Sequence, residues 1–313
     1  MRMVKKVIKT VVLFLLFAVL LAMGLMIMNL ILIKKDTSGV QSKFAKLERD
    51  SIDTIFIGNS HQYCTIDPDL LHDEYGMETF MLATAAQTVP MSYYAAMEAI
   101  EFQHPKTIIF EVCYCANNFR TVTTQMSHFF FDRMPYCKAR TLALKDLIVE
   151  DKIYFYLPLG TYHGRWKELT REDFRNKAVT DRGGVHYEKS VWNSEIPLVE
   201  PDDIKPMPPE MERYMDLLVD ICRENNVELI MYAAPFNTFY TDDEGLVQDL
   251  LDRERIFNYV GVYCEKKGIE YHNLFYELDA LGLDDTDWSD RQHMNCNGQE
   301  KVTRYMAEMG YIR

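Results

Sequence analysis

The sequence predicts an α/β protein: a mostly parallel five-stranded sheet, helices on both of its faces, and one transmembrane helix in front. Three observations carry this. Five short, largely apolar runs, Thr54–Ile57, Thr79–Leu82, Lys106–Val112, Val227–Ala233 and Ile269–Leu274, punctuate the chain. Continuous apolar runs of that length, bounded by turn residues, read as strands buried on both faces. Segments of helical spacing lie between them, and strands that alternate with helices imply a parallel sheet covered on both sides. The third observation is Val11 to Ile33, 23 residues interrupted among polar types only by Asn29.

That run matches the roughly 20 apolar residues needed to cross a bilayer core. Arg2, Lys5, Lys6 and Lys9 precede it, and Lys34 and Lys35 follow before the first acid. Cationic flanks favour the cytoplasm, so the N-terminus is expected inside and the body outside the cell membrane, as a single-pass protein. A cleaved signal peptide is the rival reading. The run is long for one, and no small-x-small site follows it. The expected organisation is an anchor over 1–35, a juxtamembrane linker over 36–52, and a body over 53–313.

The 313 residues carry a formal net charge of −13; beyond residue 35 there are 28 basic and 47 acidic residues. A body so acidic argues against nucleic acid, whose phosphates need a basic footprint. The seven cysteines, Cys64, Cys113, Cys115, Cys137, Cys222, Cys264 and Cys296, form no Cys-x-x-Cys pair and are odd in number. Neither a zinc site nor a disulfide framework is indicated.

Taken in order, the first strand runs into Gly58-Asn59-Ser60-His61. Asp67-Pro68 has the form of an N-cap with proline at the first helical position, opening a short helix. The second strand is followed by the small residues of Ala83–Thr88, a helix over Pro90 to Phe102, and the third strand. From Cys113 to about Pro208 the alternation stops. A stretch that long is no plain loop, so it is expected to be an inserted, partly helical cap over the site. Pro209–Glu224 then reads as an amphipathic helix, Asp243–Lys267 as a long one, and Gly298–Met309 as the last, with Gly310 as its stop.

Ser60 stands just beyond the carboxyl end of a central strand, where open α/β sheets place their ligands. A serine there is a candidate nucleophile, provided a base reaches it. The candidate base is His293, in Asp287-Trp288-Ser289-Asp290-Arg291-Gln292-His293-Met294-Asn295. Asp290, three residues earlier, falls on the same side of a turn and can orient the ring. Gly-Asn-Ser-His near the start and Asp-x-x-His near the end resemble blocks I and V of the SGNH (GDSL-type) hydrolase superfamily. The resemblance covers about 250 residues, from Asp53 onward. It implies a flavodoxin-like three-layer fold and a Ser60–His293–Asp290 triad.

The resemblance also implies three oxyanion donors: the Ser60 amide, a block II glycine amide and a block III asparagine. Block II maps to Ala83–Gln87, where Ala85 or Ala86 replaces glycine, and an alanine amide serves if its φ is not positive. Block III is absent after the third strand, and Asn117 or Asn118, Asn59 or Gln87 are the available substitutes. That departure is more like the membrane-anchored branch of the superfamily. The branch includes the D-alanyl transfer protein of teichoic-acid modification and acetyl-transfer proteins of exopolysaccharide export.

The expected function is therefore extracytoplasmic acyl transfer or ester hydrolysis on a cell-envelope polysaccharide or teichoic acid, through an acyl-serine. The expected partner is a multi-pass membrane O-acyltransferase. The alternative is an inactive relative that binds an envelope polymer or that partner. No cofactor and no metal is expected. His61 is either a substrate contact or packing beneath the turn. In the insertion, His163, Arg165 and Trp166 offer a sugar or phosphate subsite, or else a structural aromatic cluster. Asp132 and Arg133 are expected to pair with each other.

Overall fold

The computed structural model describes residues 2–33, 39–118, 120, 122–174, 179–191, 196, 198–237 and 244–313. Lys34 and Lys35, part of the charge pattern flanking the apolar run, lie outside the described residues. The chain opens with α1, Arg2–Leu32, and α2, Gly39–Phe44. Next come β1 (Thr54–Gly58), α3 (Ser60–Thr65), α4 (Pro68–Tyr75), β2 (Thr79–Ala83), α5 (Val89–Gln103) and β3 (Thr107–Glu111). Four short helices follow: α6 (Thr124–Phe131), α7 (Lys138–Leu147), α8 (Lys152–Tyr156) and α9 (Leu159–Tyr162). The last third holds α10 (Pro209–Glu224), β4 (Glu228–Ala233), α11 (Glu244–Lys267), β5 (Glu270–Asn273), α12 (Leu278–Leu281) and α13 (Cys296–Glu308).

The five strands form one parallel sheet in the order β2-β1-β3-β4-β5. The chain steps outward from β1 to β2, then crosses back to β3 on the other side of β1. That reversal leaves a crevice at the carboxyl ends of β1 and β3, the switch point of flavodoxin-like sheets. Register is set by apolar pairs such as Ile55 beside Phe80 on one side and Ile108 on the other.

Successive strand side chains point to opposite faces. Ile55, Ile57, Phe110 and Met231 join one core, with Ala95, Leu144, Leu218 and Phe257 from the covering helices. Phe56, Met81, Ile109 and Tyr232 join the other, with Leu71, Trp288, Val302 and Met306. The three layers thus follow from two-sided apolar strands. The expected N-cap at Asp67 is present: its carboxylate accepts the amides of Asp69 and Leu70. Asn295 caps α13, its side chain accepting the amides of Asn297 and Gly298.

Among the described residues, one helix, Met3–Leu32, is long and apolar enough to cross a membrane. Its C-terminal turn packs on the insertion, Leu32 and Ile33 against Leu159, Tyr162 and Leu169. The insertion divides into two parts. Its helical part packs on α5 through α7 and on α1 through α9. Its extended part runs back along the sheet, the Met81 amide donating to the Arg182 carbonyl at 2.9 Å, and continues past the loop that carries His293. All seven cysteines are free.

Candidate active site

Gly58 ends β1, and α3 starts almost on top of it. A Cβ on Gly58 would sit 2.7 Å from Cβ of Gln62, so the residue is required for space. Asn59 caps the helix, its Oδ1 accepting the His61 amide at 2.8 Å. Ser60 is the first residue of α3 and is half-buried. Beneath it, Gln62 donates to the Tyr232 hydroxyl at 2.9 Å, tying α3 to β4.

His293 arrives on a loop closed at both ends. Trp288 bridges to Met294, and the Ser289 amide donates to the His293 carbonyl at 2.9 Å. The base of the loop is held by Asp287, fully buried and paired with Lys301 at 2.7 Å. Gly298 lies so close to this base that a Cβ would stand 2.5 Å from the Asp287 carbonyl. Substituting either glycine would shift the loop or strand that carries a site residue.

The loop brings the three candidate residues together. Ser60 Oγ and His293 Nε2 are 2.8 Å apart. His293 Nδ1 lies 2.9 Å from Asp290 Oδ2 and 3.1 Å from Oδ1. Asp290 Oδ1 also accepts the amides of Gln292 at 2.8 Å and His293 at 2.9 Å. Partial burial works to raise the Asp290 carboxyl, but the bonds from the His293 ring and these amides outweigh it and hold it at about 2. The carboxylate is therefore ionised at neutral pH and can only accept. That assigns the Nδ1 proton to the Asp290 side and leaves Nε2 to accept from Ser60 O–H. Ser60 is thus within hydrogen-bond reach of its candidate base.

The proposed oxyanion donors fare differently. Ala86 has φ +54°, in the left-handed region. The condition attached to an alanine amide at this position fails. A non-glycine residue there carries roughly 1–2 kcal/mol of strain, and such strain clusters at functional sites. The Ala86 amide donates to no group among the described residues, so it stays free for a ligand. Gln87 is spent inside the turn: its Oε1 accepts the Thr84 amide and hydroxyl, and its Nε2 donates to Ser92 Oγ. It shapes the loop that presents Ala86 rather than facing Ser60. Asn59 has its oxygen committed to the cap. Asn117 ends the 3-10 turn Cys113–Ala116, on the same carboxyl edge as Ser60, and its side chain forms no hydrogen bond among the described residues.

His61 packs beneath the turn. It is buried, edge-on to Phe236 and 5.4 Å from the His293 ring. Burial, then the neighbouring His293 ring and the positive charge of Arg253, holds its imidazole down at about 3, so it is neutral beside the triad. His163 and Arg165 belong to a different region. Arg165 donates to the Leu32 carbonyl at the end of α1 and to Asp173, both at 2.6 Å. His163 bonds the Gly160 carbonyl at 2.7 Å. Neither joins the Ser60 group, because the helical part of the insertion docks on α1 and α5. Asp132 is bonded to His128 at 2.6 Å, and the expected pair with Arg133 does not form at salt-bridge distance.

Three features were missed in the sequence. Tyr187 stacks on His293 with ring centroids 6.4 Å apart, and Ser190 Oγ donates to the carbonyls of Trp288 and Ser289, both at 2.8 Å. The extended part of the insertion thus straps the His293 loop. Arg253 of α11 lies near His61 and Cys113 and adds positive charge beside the site. Asp67, Asp69 and His186 offer three oxygen or nitrogen donors within 4.8 Å of one another. They stand at the start of α4, where Asp67 already acts as the N-cap.

No protein-family model matches the sequence, and no curated protein matches it. Among solved structures, the chain is similar to a proposed acylhydrolase from Bacteroides fragilis. The two share 9% identity at TM-score 0.44, over 86% of this chain and 92% of that one. It is also similar to a GDSL-like lipase from Bacteroides thetaiotaomicron, at 7% identity and TM-score 0.44, over 88% of this chain and 97% of that one. At such identities and scores the likeness adds nothing to the site, which stands on its own distances.

Proposed function

We propose that this chain is a serine-dependent enzyme of acyl esters. The observation that carries the reading is the continuous contact from Ser60 Oγ through His293 to an ionised Asp290. His293 Nε2 takes the Ser60 proton as Oγ attacks the ester carbonyl. The Ser60 amide is a donor available to the developing oxyanion, such a donor being commonly worth roughly 2.7–4 kcal/mol. The protonated His293 then gives its proton to the departing alkoxide, and an acyl-Ser60 remains. A second hydroxyl, deprotonated by His293, releases the acyl group. Water as that hydroxyl makes the chain an esterase, and a glycan or teichoic-acid hydroxyl makes it an O-acyltransferase.

The finer reading is that α1 anchors the protein in the cell membrane with the sheet outside. The acyl acceptor is then an envelope polymer, and an acyl donor arrives through a multi-pass membrane O-acyltransferase. The cationic residues Arg2, Lys5, Lys6 and Lys9 at the start of α1 support that orientation, and the acidic body supports a partner other than nucleic acid. The test is intact-mass analysis of the full-length protein after incubation with a p-nitrophenyl acyl ester. A mass gain of one acyl group, mapped to Ser60 and discharged faster by an added envelope glycan than by water, supports transfer. Discharge at one rate regardless of glycan supports esterase action. Ester turnover that survives Ser60→Ala contradicts the reading altogether.

A further inference from the structure

A groove of about 490 Å³ lies between the last third of α1 and the helical part of the insertion. That is within the volume range of sites that bury a ligand. Its α1 wall runs from Ala22 to Ile33, about 16 Å at a rise of 1.5 Å per residue. One leaflet of a bilayer core is about 15 Å deep. The opposite wall includes Arg133, Tyr136, Arg140, Tyr156 and Leu157. Tyr136, Tyr156 and Leu157 are exposed beside α1, and aromatic residues of this kind concentrate at membrane–water interfaces.

The groove's lining carries two arginines, Arg133 and Arg140, against one carboxylate, Asp132. Arg133 forms no hydrogen bond or ion pair among the described residues, and its Nε is buried without a partner. Arg140 is 2% exposed; its terminal nitrogens donate to the carbonyls of Phe131, Met134 and Phe155, and its Nε also lacks a partner. Asp132 adds negative charge near both guanidinium groups, but it is bonded to His128, and no carboxylate reaches salt-bridge distance of either among the described residues. Leaving a half-buried charge without a hydrogen-bonded partner is costly. A guanidinium is shaped to hold phosphate through two parallel N–H bonds.

We infer that the groove holds one anionic phospholipid of the outer leaflet, an acyl chain lying along α1 and the headgroup phosphate on Arg133. The inference goes beyond the acyl-serine chemistry and rests on reading α1 as membrane-embedded. A helix of a membrane partner would cover the apolar wall but would leave Arg133 without a hydrogen-bonded anion. The lipid fills both. It would also fix the insertion against α1 and so set the height of the sheet above the membrane.

The test uses full-length protein reconstituted in nanodiscs of phosphatidylglycerol and phosphatidylcholine in equal parts, released into mild detergent and weighed by native mass spectrometry. One retained phosphatidylglycerol, in about tenfold excess over phosphatidylcholine, is the expected result. R133Q should lower that retention at least fivefold with an unchanged thermal melt, and R133K, which keeps the charge but loses the fork, should fall between. Equal retention of the two lipids by the wild type overturns the inference. So does undiminished retention in R133Q, or, if R133Q fails to fold, in a fully folded R133K. Co-purification of a polypeptide in place of lipid also overturns it. Flotation with liposomes separates the two premises: a chain that does not float contradicts the membrane reading of α1, whereas a floating chain without lipid selectivity contradicts the groove alone.

Discussion

At the carboxyl edge of the sheet, Ser60, His293 and Asp290 bond one another in a line, and Ser60 at its end is half-buried. At the junction with α1, Arg165 is bonded to the Leu32 carbonyl and to Asp173 and ends there. Both clusters looked alike as sequence, a histidine or arginine among polar and aromatic neighbours. The difference is spare capacity. The first has a hydroxyl that can change partner and a base positioned to let it. The second satisfies the exposed carbonyl of a helix end, which every α-helix leaves unbonded. Polar residue types mark both, and only the direction of the remaining lone pairs and protons separates a candidate reactive site from a joint.

The largest effect that would sharpen the contrast is on the first cluster. Ser60→Ala and His293→Ala should each lower ester turnover by roughly five to six orders of magnitude, measured as kcat/KM on an activated ester. Asp290→Asn should lower it by about 10⁴-fold, because the ring loses its ionised orienter. A loss under tenfold at Asp290 would mean that its bonds to the Gln292 and His293 amides, rather than to the ring, are its contribution. On the second cluster, Arg165→Ala should cost about 1–3 kcal/mol of stability, since it strips Leu32 and Asp173 of a donor. Turnover by the folded variant should stay within twofold of wild type. A large loss of rate with a normal melt would break the comparison and return Arg165 to a substrate subsite.

The two smaller effects concern the neighbours of Ser60. Buried His61 titrates at about 3 in the folded protein against an ordinary 6.5, so the unfolded chain takes up its proton first on acidification. The stability this neutral imidazole contributes is present above pH 6.5 and is lost between there and about 3. Chemical denaturation of wild type and His61→Gln should diverge across that window by up to about 1.4 kcal/mol per pH unit. Parallel curves would mean that His61 is hydrated. Ala86→Gly should stabilise the protein by about 0.5–1 kcal/mol, the relief of left-handed strain less the added freedom of the unfolded chain. Destabilisation would show that the Ala86 methyl is packed rather than strained.

Much of this architecture was legible in the amino-acid order. Ile55, Phe56 and Ile57 are apolar on consecutive positions, which a parallel strand buried on both faces requires, and Asp67-Pro68 announces α4 through its cap. Ser60, Asp290 and His293 were legible because two of them sit three residues apart and the third follows a strand. Ala86 was not, because nothing in an alanine reports a positive φ; the bonds of Gln87 to Thr84 and Ser92 impose it. The role of Arg165 was left open, and Tyr187 and Arg253 were missed, for one reason. Their partners, Leu32, His293 and His61, lie far away in the chain, and only packing of the insertion and of α11 brings them together. The insertion itself was legible as a break in the pattern, while its division between α1 and the His293 loop was not.

The most direct measurement is labelling of the full-length protein with a fluorophosphonate probe, which reacts with a serine only when a base activates it. The account predicts stoichiometric labelling mapped to Ser60, abolished in Ser60→Ala and in His293→Ala and retained in Arg165→Ala. Absence of labelling in folded wild-type protein, or labelling that persists in His293→Ala, would contradict the claim that His293 activates Ser60.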